Sequence, residues 1–200
     1  MHRNIVPKIL YFGTPVVLIS TLNPDGSANL APMSSAWWLG DSCMLGMSNR
    51  SQTVSNILRE GRCVLNLPSG DLVNAVDRLA LTTGREDVPE YKAQMGYRFE
   101  PGKFQVAGLT PVSGEPGWPP RVAECPVQMH ARLESSRDFS SPHLAALELR
   151  IVQTWMDEAI LSDGRRHHVD PDKWRPLIMN FLEFYSLGAQ LRPSRLAEVF

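Results

Sequence analysis

The stretch "TPVVLISTLNPDGSANLAP" (residues 14–32) carries the reading of the fold. Residues 14–21 are rich in β-branched side chains, which suit a pleated, half-buried strand. "NPDG" (23–26) places Pro, Asp and Gly as a tight turn requires. "SANLAP" (27–32) then alternates small and apolar residues, so the whole segment predicts a hairpin. Outward from it, "SCMLGMS" (42–48) and "RCVLNLP" (62–68) read as strands. Between them Val54, Ile57 and Leu58 recur at i, i+3, i+4, which predicts a helix at about 52–60 with Gly61 at its stop. The same period in Leu72, Val73, Val76 and Leu79 predicts a second helix over 71–81, with Asp71 as its cap.

Beyond residue 84 the signals are weaker. A short helix is expected near 89–96. Residues 110–120, with four prolines and two glycines, read as a loop. Residues 121–139 alternate well enough for a strand. Residues 143–161 are ambiguous: Ala, Leu and Glu favour a helix, while Ile151 and Val152 favour a strand. "SDGRRHH" (162–168) reads as a turn. The apolar spacing from Trp174 to Tyr185 predicts a helix, with Pro176 in its first turn or breaking it. Strands dominate the first two thirds, interrupted by two short helices. That order suits a mainly β antiparallel barrel or sandwich with α excursions in one domain over 1–200, and it does not suit a βαβ repeat.

The 200 residues are 43% hydrophobic and 20% charged, with a formal net charge of −1. No block of five like charges occurs, so no nucleic-acid partner is expected. No apolar run has the length of a bilayer span, so no membrane association is expected. "MHRNIVPKILYFG" lacks a sustained apolar core with a small-residue cleavage site, which points to a cytoplasmic protein without a signal peptide. Cys43, Cys63 and Cys125 are odd in number and far apart, so buried free thiols are expected rather than a disulfide framework. His167 and His168 lack a wider ligand set, and no metal is expected.

Two clusters bear on function. In "SNRSQTVSNILREG" (48–61), Ser48, Arg50, Ser51 and Thr53 crowd the start of the predicted helix, with Asn49 in the same loop. A helix start leaves backbone N–H groups unpaired and carries partial positive charge, and arginine adds a cation that bonds phosphate bidentately. Read alone, the cluster is either a capped helix beside a surface arginine or an anion site. In "NLAPMSSAWWLG" (29–40), small polar residues precede a tryptophan pair. Read alone, this is either a loop whose tryptophans pack inward or a wall that a flat ligand can approach. Trp118, Trp155 and Trp174 read as core or interface residues.

These segments together, with "GKFQVAGLTPV" (102–112), "AECPVQMHARLE" (123–134) and "DPDKWRPL" ahead of "FYSLG", resemble the flavin reductase-like family, whose fold is the FMN-binding split barrel. The resemblance covers most of the chain in the family's order. It implies FMN as cofactor: Ser34, Ser35, Ala36 and Trp37 would line the isoalloxazine ring, and Ser48, Arg50, Ser51 and Thr53 would hold the phosphate, with backbone contacts from Asn49. It also implies a homodimer, hydride supply from NAD(P)H, and free flavin, a monooxygenase partner or another acceptor downstream. Many family reductases carry a Gly-Asp-His motif near the nicotinamide site. Here His143 is present as a possible nicotinamide-side residue, but Pro142 stands where the acid would be. That departure keeps open a second reading, a non-catalytic flavin carrier or sensor.

Overall fold

The computed structural model describes residues 1–139, 141–165 and 167–198. The chain runs β1 (Phe12–Pro15), β2 (Val17–Leu22), β3 (Ala28–Met33), β4 (Ala36–Leu39), β5 (Ser42–Ser48), α1 (Gln52–Glu60), β6 (Arg62–Leu67), α2 (Val73–Asp77), β7 (Thr82–Thr83), α3 (Glu90–Gln94), β8 (Arg98–Phe99), α4 (Lys103–Ala107), β9 (Pro111–Val112), β10 (Arg121–Val122), β11 (Val127–Asp138), β12 (Leu144–Met156), β13 (Leu177–Asn180) and β14 (Glu183–Ser186). Seven strands form one antiparallel sheet in the order β3-β2-β6-β11-β12-β5-β4. β1, β13 and β14 form a separate three-stranded sheet.

The expected hairpin pairs Val17 with Met33 and Leu22 with Ala28. Its turn closes through Asn23, whose N–H donates to Ser27 O (2.8 Å), and Gly26 takes φ 82°, a left-handed value open to glycine. The unbroken "VVLI" run has a packing reason. Val17 and Ile19 enter one core, while Val16 and Leu18 enter another on the opposite side of the sheet. A strand buried on both faces reads as continuous apolar sequence.

The first core takes side chains from β2, β4, β5, β6, β11 and β12, with Val54 and Ile57 of α1. Strands so far apart in sheet order share one cluster only because the sheet curls around it. The second core packs α2 and α4 on the outer face of β2 and β3 through Val76, Leu79, Phe104 and Ala107. Cys43, Cys63 and Cys125 are free and buried, and burial pushes the Cys43 thiol up to about 12 and raises the other two further.

Helix α1 matches its predicted span. Ser51 is the N-cap, its Oγ accepting from Val54 N (3.1 Å), and Gly61 ends the helix in the left-handed region. The helix is fixed to the hairpin by buried polar side chains. Asn56 Nδ2 donates to Thr21 Oγ1 (3.0 Å) and Asn23 Oδ1 (2.9 Å), and Asn29 Nδ2 donates to Thr21 Oγ1 and Thr53 Oγ1 (both 3.1 Å).

Two expected helices are corrected, and the ambiguity over residues 143–161 is decided. The helix over 71–81 is a 3-10 turn (Gly70–Leu72) followed by a five-residue α2, and Asp71 caps neither. The chain leaves the helix early because Thr82 and Thr83 pair with Arg98 and Phe99. Residues 144–156 are the long strand β12, since β11 and β5 supply ladders on both sides; neighbours override the helix propensity. The helix from Trp174 to Tyr185 is instead the β13–β14 hairpin. Pro176 donates no hydrogen bond, and β1 pairs with β13 from the far end of the chain. Two smaller adjustments follow the same logic. Residues 121–139 split into β10 and β11 around Pro126, and the 110–120 loop contributes the two-residue β9. At 162–168 a turn is present around Asp163 and Gly164, and Arg166 lies outside the described residues. Trp118 stacks on His130 (centroids 4.1 Å apart), and Trp155 meets His130 edge-on (4.5 Å), so both pack on the outer face of the sheet.

Asn56 is fully buried and bonded at both ends of its amide. Asn56→Ala leaves those partners unsatisfied and should lower stability by about 1–3 kcal/mol in urea denaturation.

Candidate functional site

Three neighbouring clefts share residues around Met33 and the start of α1. The largest, about 660 Å³, lies along β4 and β5 and is walled by Tyr11, Ser35, Ala36, Trp37, Gly46 and Met47. Its shape depends on a close approach: Gly46 N–H donates to Ser35 O (2.8 Å), and a Cβ at Gly46 would sit 3.3 Å from Ser35 Cβ. Ser35 Oγ and Tyr11 Oη are hydrogen-bonded (3.0 Å). Thr14 Oγ1, on the same wall, is buried without a partner. Trp37 is 57% exposed at the rim.

The second cleft, about 530 Å³, continues from the first past Met33, Ser48 and Leu144 to Arg50, Ser51, Tyr91, Lys92 and His143. Its cations sit on aromatic faces, Arg50 over Tyr91 (6.0 Å) and Lys92 over Tyr97 (5.3 Å). The third, about 130 Å³, lies between the start of α1 (Ser51, Gln52, Thr53) and Thr82, Thr83, Lys92 and Lys103. Gly84 permits that approach, because a Cβ there would fall 2.4 Å from Asn29 Oδ1 and 3.2 Å from Gln52 Cβ.

The structure thus brings together Ser35, Ala36, Trp37, Ser48, Arg50 and Ser51 on one continuous groove. It uses three other expected residues differently. Ser34 is 8% exposed and lines none of these clefts. Asn49 is committed to the β11–β12 connection: its N–H donates to His143 O (3.0 Å), and its Nδ2 donates to Asp138 Oδ1 (3.1 Å) and Pro142 O (3.0 Å). Those bonds bring His143 to the groove beside Arg50. Thr53 is 2% exposed, and its hydroxyl accepts from Asn29. At the helix start the Gln52 and Thr53 N–H groups, by position, have no intrahelical acceptor. Ser51 Oγ accepts the cap bond and Ser48 Oγ accepts from Arg50 N (3.3 Å), which leaves each hydroxyl hydrogen to donate.

Sequence reasoning assigned no role to Lys92, Tyr97 or Lys103. Lys103 had one usable signal, a lysine at a buried position of an apolar helix beside Phe104 and Ala107. It is 3% exposed, and burial pushes its ammonium down to about 8, assisted by Lys92 and opposed by Glu100. Among the described residues, no group of three or more His, Cys, Asp or Glu is placed to hold a metal. Among the described residues, no helix is long and apolar enough to cross a membrane.

The groove suits a flavin nucleotide. Its main cleft is of the size that takes cofactors and is lined by flat and apolar side chains, and it leads to cations, hydroxyls and open helix N–H groups. A family model described as flavin reductase like domain matches residues 9–185. An uncharacterized Bacillus subtilis (strain 168) protein, YdfE, is 37% identical over 191 residues, covering 94% of this chain and 91% of that one. Among solved structures, flavoredoxin of Desulfovibrio vulgaris (Miyazaki F) superposes with TM-score 0.80 at 24% identity over 99% of this chain and all of that one. Nitrilotriacetate monooxygenase component B from Bacillus cereus gives 0.72 at 20% identity, covering 93% and 89%. These two likenesses are of fold.

Unfolded lysine titrates near 10.5, above the value of about 8 for buried Lys103. Between those values the unfolded chain binds more protons, so this group contributes stability as pH rises. The stability difference between the parent and Lys103→Met should therefore shift in the parent's favour from about pH 8 to about pH 10.5. Urea denaturation across that range reads it.

Proposed function

The chain belongs to the flavin reductase-like domain family, and from that premise we propose that it is an FMN-binding oxidoreductase that takes hydride from NAD(P)H. Its acceptor in this reading is free flavin, a monooxygenase partner or another oxidant. The observation that carries the reading is the continuity of the groove from an apolar slot to a cationic, donor-rich end. Bound FMN supplies the redox chemistry.

The chain's own residues supply binding and placement. Ala36 and Trp37 flank the ring, while Ser35 is held by Tyr11 so that its backbone and hydroxyl face the slot. Ser34 backs this wall from inside. Arg50, Ser48 and Ser51 donate to the phosphate together with the Gln52 and Thr53 N–H groups, and Thr53 anchors that end through Asn29. Asn49 is a positioning residue that holds the 138–143 segment, and with it His143, at the nicotinamide side. The single phosphate of FMN matches one donor-rich end. The exposed Leu10, Trp37, Phe139 and Leu144 side chains at the slot favour a homodimer whose partner covers this rim, as the family resemblance implies. The site of action in this reading is the cytoplasm.

Pro142 in place of the family's acid favours the second reading, a flavin carrier without turnover. Purified protein should absorb near 450 nm, either as isolated or after reconstitution with FMN; no such band in either case refutes flavin binding. Steady-state NADH or NADPH oxidation by the loaded protein supports the enzyme, and its absence supports the carrier. Arg50→Ala should weaken FMN binding by roughly 1.5–3 kcal/mol in a fluorescence titration, the range for a hydrogen bond to a charged group.

A further inference from the structure

Residues 113–120 connect β9 to β10 and lie as a strap on the outer face of the large sheet. None of the strap's contacts described below lines the groove. Trp118 N donates to Glu115 O (3.2 Å), and Gly117 takes φ 82° against the Arg62 guanidinium, where a Cβ would fall 3.2 Å from both Nη atoms. Pro119 and Pro120 are buried. Trp118 lies flat on His130, with ring centroids 4.1 Å apart and planes 6° from parallel, and Trp155 meets the same imidazole edge-on. His130 is 2% exposed, and its Nδ1 is buried without a hydrogen-bond partner.

Cations frame this stack. Arg62 of β6 and Arg132 of β11 lie 5.9 and 5.7 Å from the Trp118 ring, and Arg121 of β10 lies 4.3 Å from the Trp155 ring. Arg62 is paired with Glu60 (3.8 Å), while Arg121 and Arg132 are in none of the ion pairs among the described residues. On the remaining sides the groups are uncharged: Val64 of β6 and Gln153 of β12 are opposite His130, and Gln128 on its own strand accepts from Arg121 Nη1 (2.7 Å). The strap supplies a carboxylate, Glu115. An imidazolium in this place would bring a buried N–H without an acceptor and add a cation among guanidiniums that already occupy the tryptophan faces. Burial accordingly holds the imidazole below its ordinary value of 6.5, with Glu115 opposing and Arg121 assisting. A phenylalanine would stack under Trp118 and hold the strap at every pH, whereas a histidine makes docking depend on its charge.

We propose that His130 and the 113–120 strap form a proton-operated latch: the strap stays clamped on the sheet while the imidazole is neutral and lifts away when the imidazole takes a proton. The sign follows from linkage. The lifted state leaves His130 in water with its ordinary affinity for a proton, so below about pH 6.5 it binds more protons than the clamped state and gains population as pH falls. Above that value both states are neutral and clamping is independent of pH. Lifting uncovers Trp155, Arg62 and Arg132 on the outer face of β6, β11 and β12.

Two measurements on the full chain test it. Hydrogen exchange of the peptide spanning 113–118, corrected for the intrinsic pH dependence of amide exchange, should rise at least about threefold between about pH 7.5 and about pH 5.5. In His130→Phe, which keeps a flat ring and cannot charge, the corrected exchange should not change over that range. Independently, the imidazole signal of His130 in an NMR titration should have its midpoint below 6.5 in the parent and close to 6.5 in Trp118→Ala, where the clamp is removed. Corrected exchange that is flat with pH in the parent, or that rises as much in His130→Phe, would overturn the latch. A His130 midpoint at or above 6.5 in the parent, or one that Trp118→Ala leaves in place, would overturn it as well. If His130→Phe fails to fold, the parent's exchange and the shift of the midpoint in Trp118→Ala decide.

Discussion

The arrangement of this protein depends on a buried polar contact between α1 and the β2–β3 hairpin. Thr21, Asn29, Thr53 and Asn56 are each at most 2% exposed and joined by hydrogen bonds. Apolar packing through Val54 and Ile57 holds the helix against the barrel core, but such packing tolerates sliding and rotation. Directional bonds in a dry site do not, because a displaced amide would be left buried without a partner. The network therefore fixes which way the first turn of α1 faces. That turn ends at the groove, between the apolar slot along β4 and β5 and the cleft around Lys103.

The polar groups of the groove fall into two kinds. One kind is spent on the protein itself: Asn49 ties down the β11–β12 connection, Thr53 anchors the helix, and Tyr11 holds Ser35. The other kind has capacity left over, namely Arg50, Lys92, Lys103 and the first N–H groups of α1. A cluster of hydroxyls and amides in a sequence contains both kinds. Only the fold sorts them, since the same Ser or Asn closes a turn, pins a loop or meets a ligand according to what lies within about 3 Å.

The legible parts of the chain were those governed by neighbours in sequence. The hairpin at 14–32, α1 with its Ser51 cap and Gly61 stop, and the short α3 follow from turn chemistry and period. β12 and the β13–β14 hairpin were illegible because their strand character comes from partners far along the chain, β5 and β11 in one case and β1 in the other. Within the groove, Ser35, Ala36, Trp37, Ser48, Arg50 and Ser51 were legible as two clusters. Lys103 was not, because its burial at the cleft is a property of three-dimensional packing.

The amino-acid sequence by itself determined that the chain is mainly β, that a hairpin forms around the turn at 23–26, and that a capped helix begins in a group of donors. These follow from local preferences, which act over a few residues and need no partner. Tertiary structure alone decided that the apolar slot and the donor end form one groove, that Asn49 and the Thr53 hydroxyl face the protein, and that Lys103 is buried with no ion pair among the described residues. Those outcomes depend on which segments meet, and burial, charge compensation and hydrogen-bond saturation exist only once they have met.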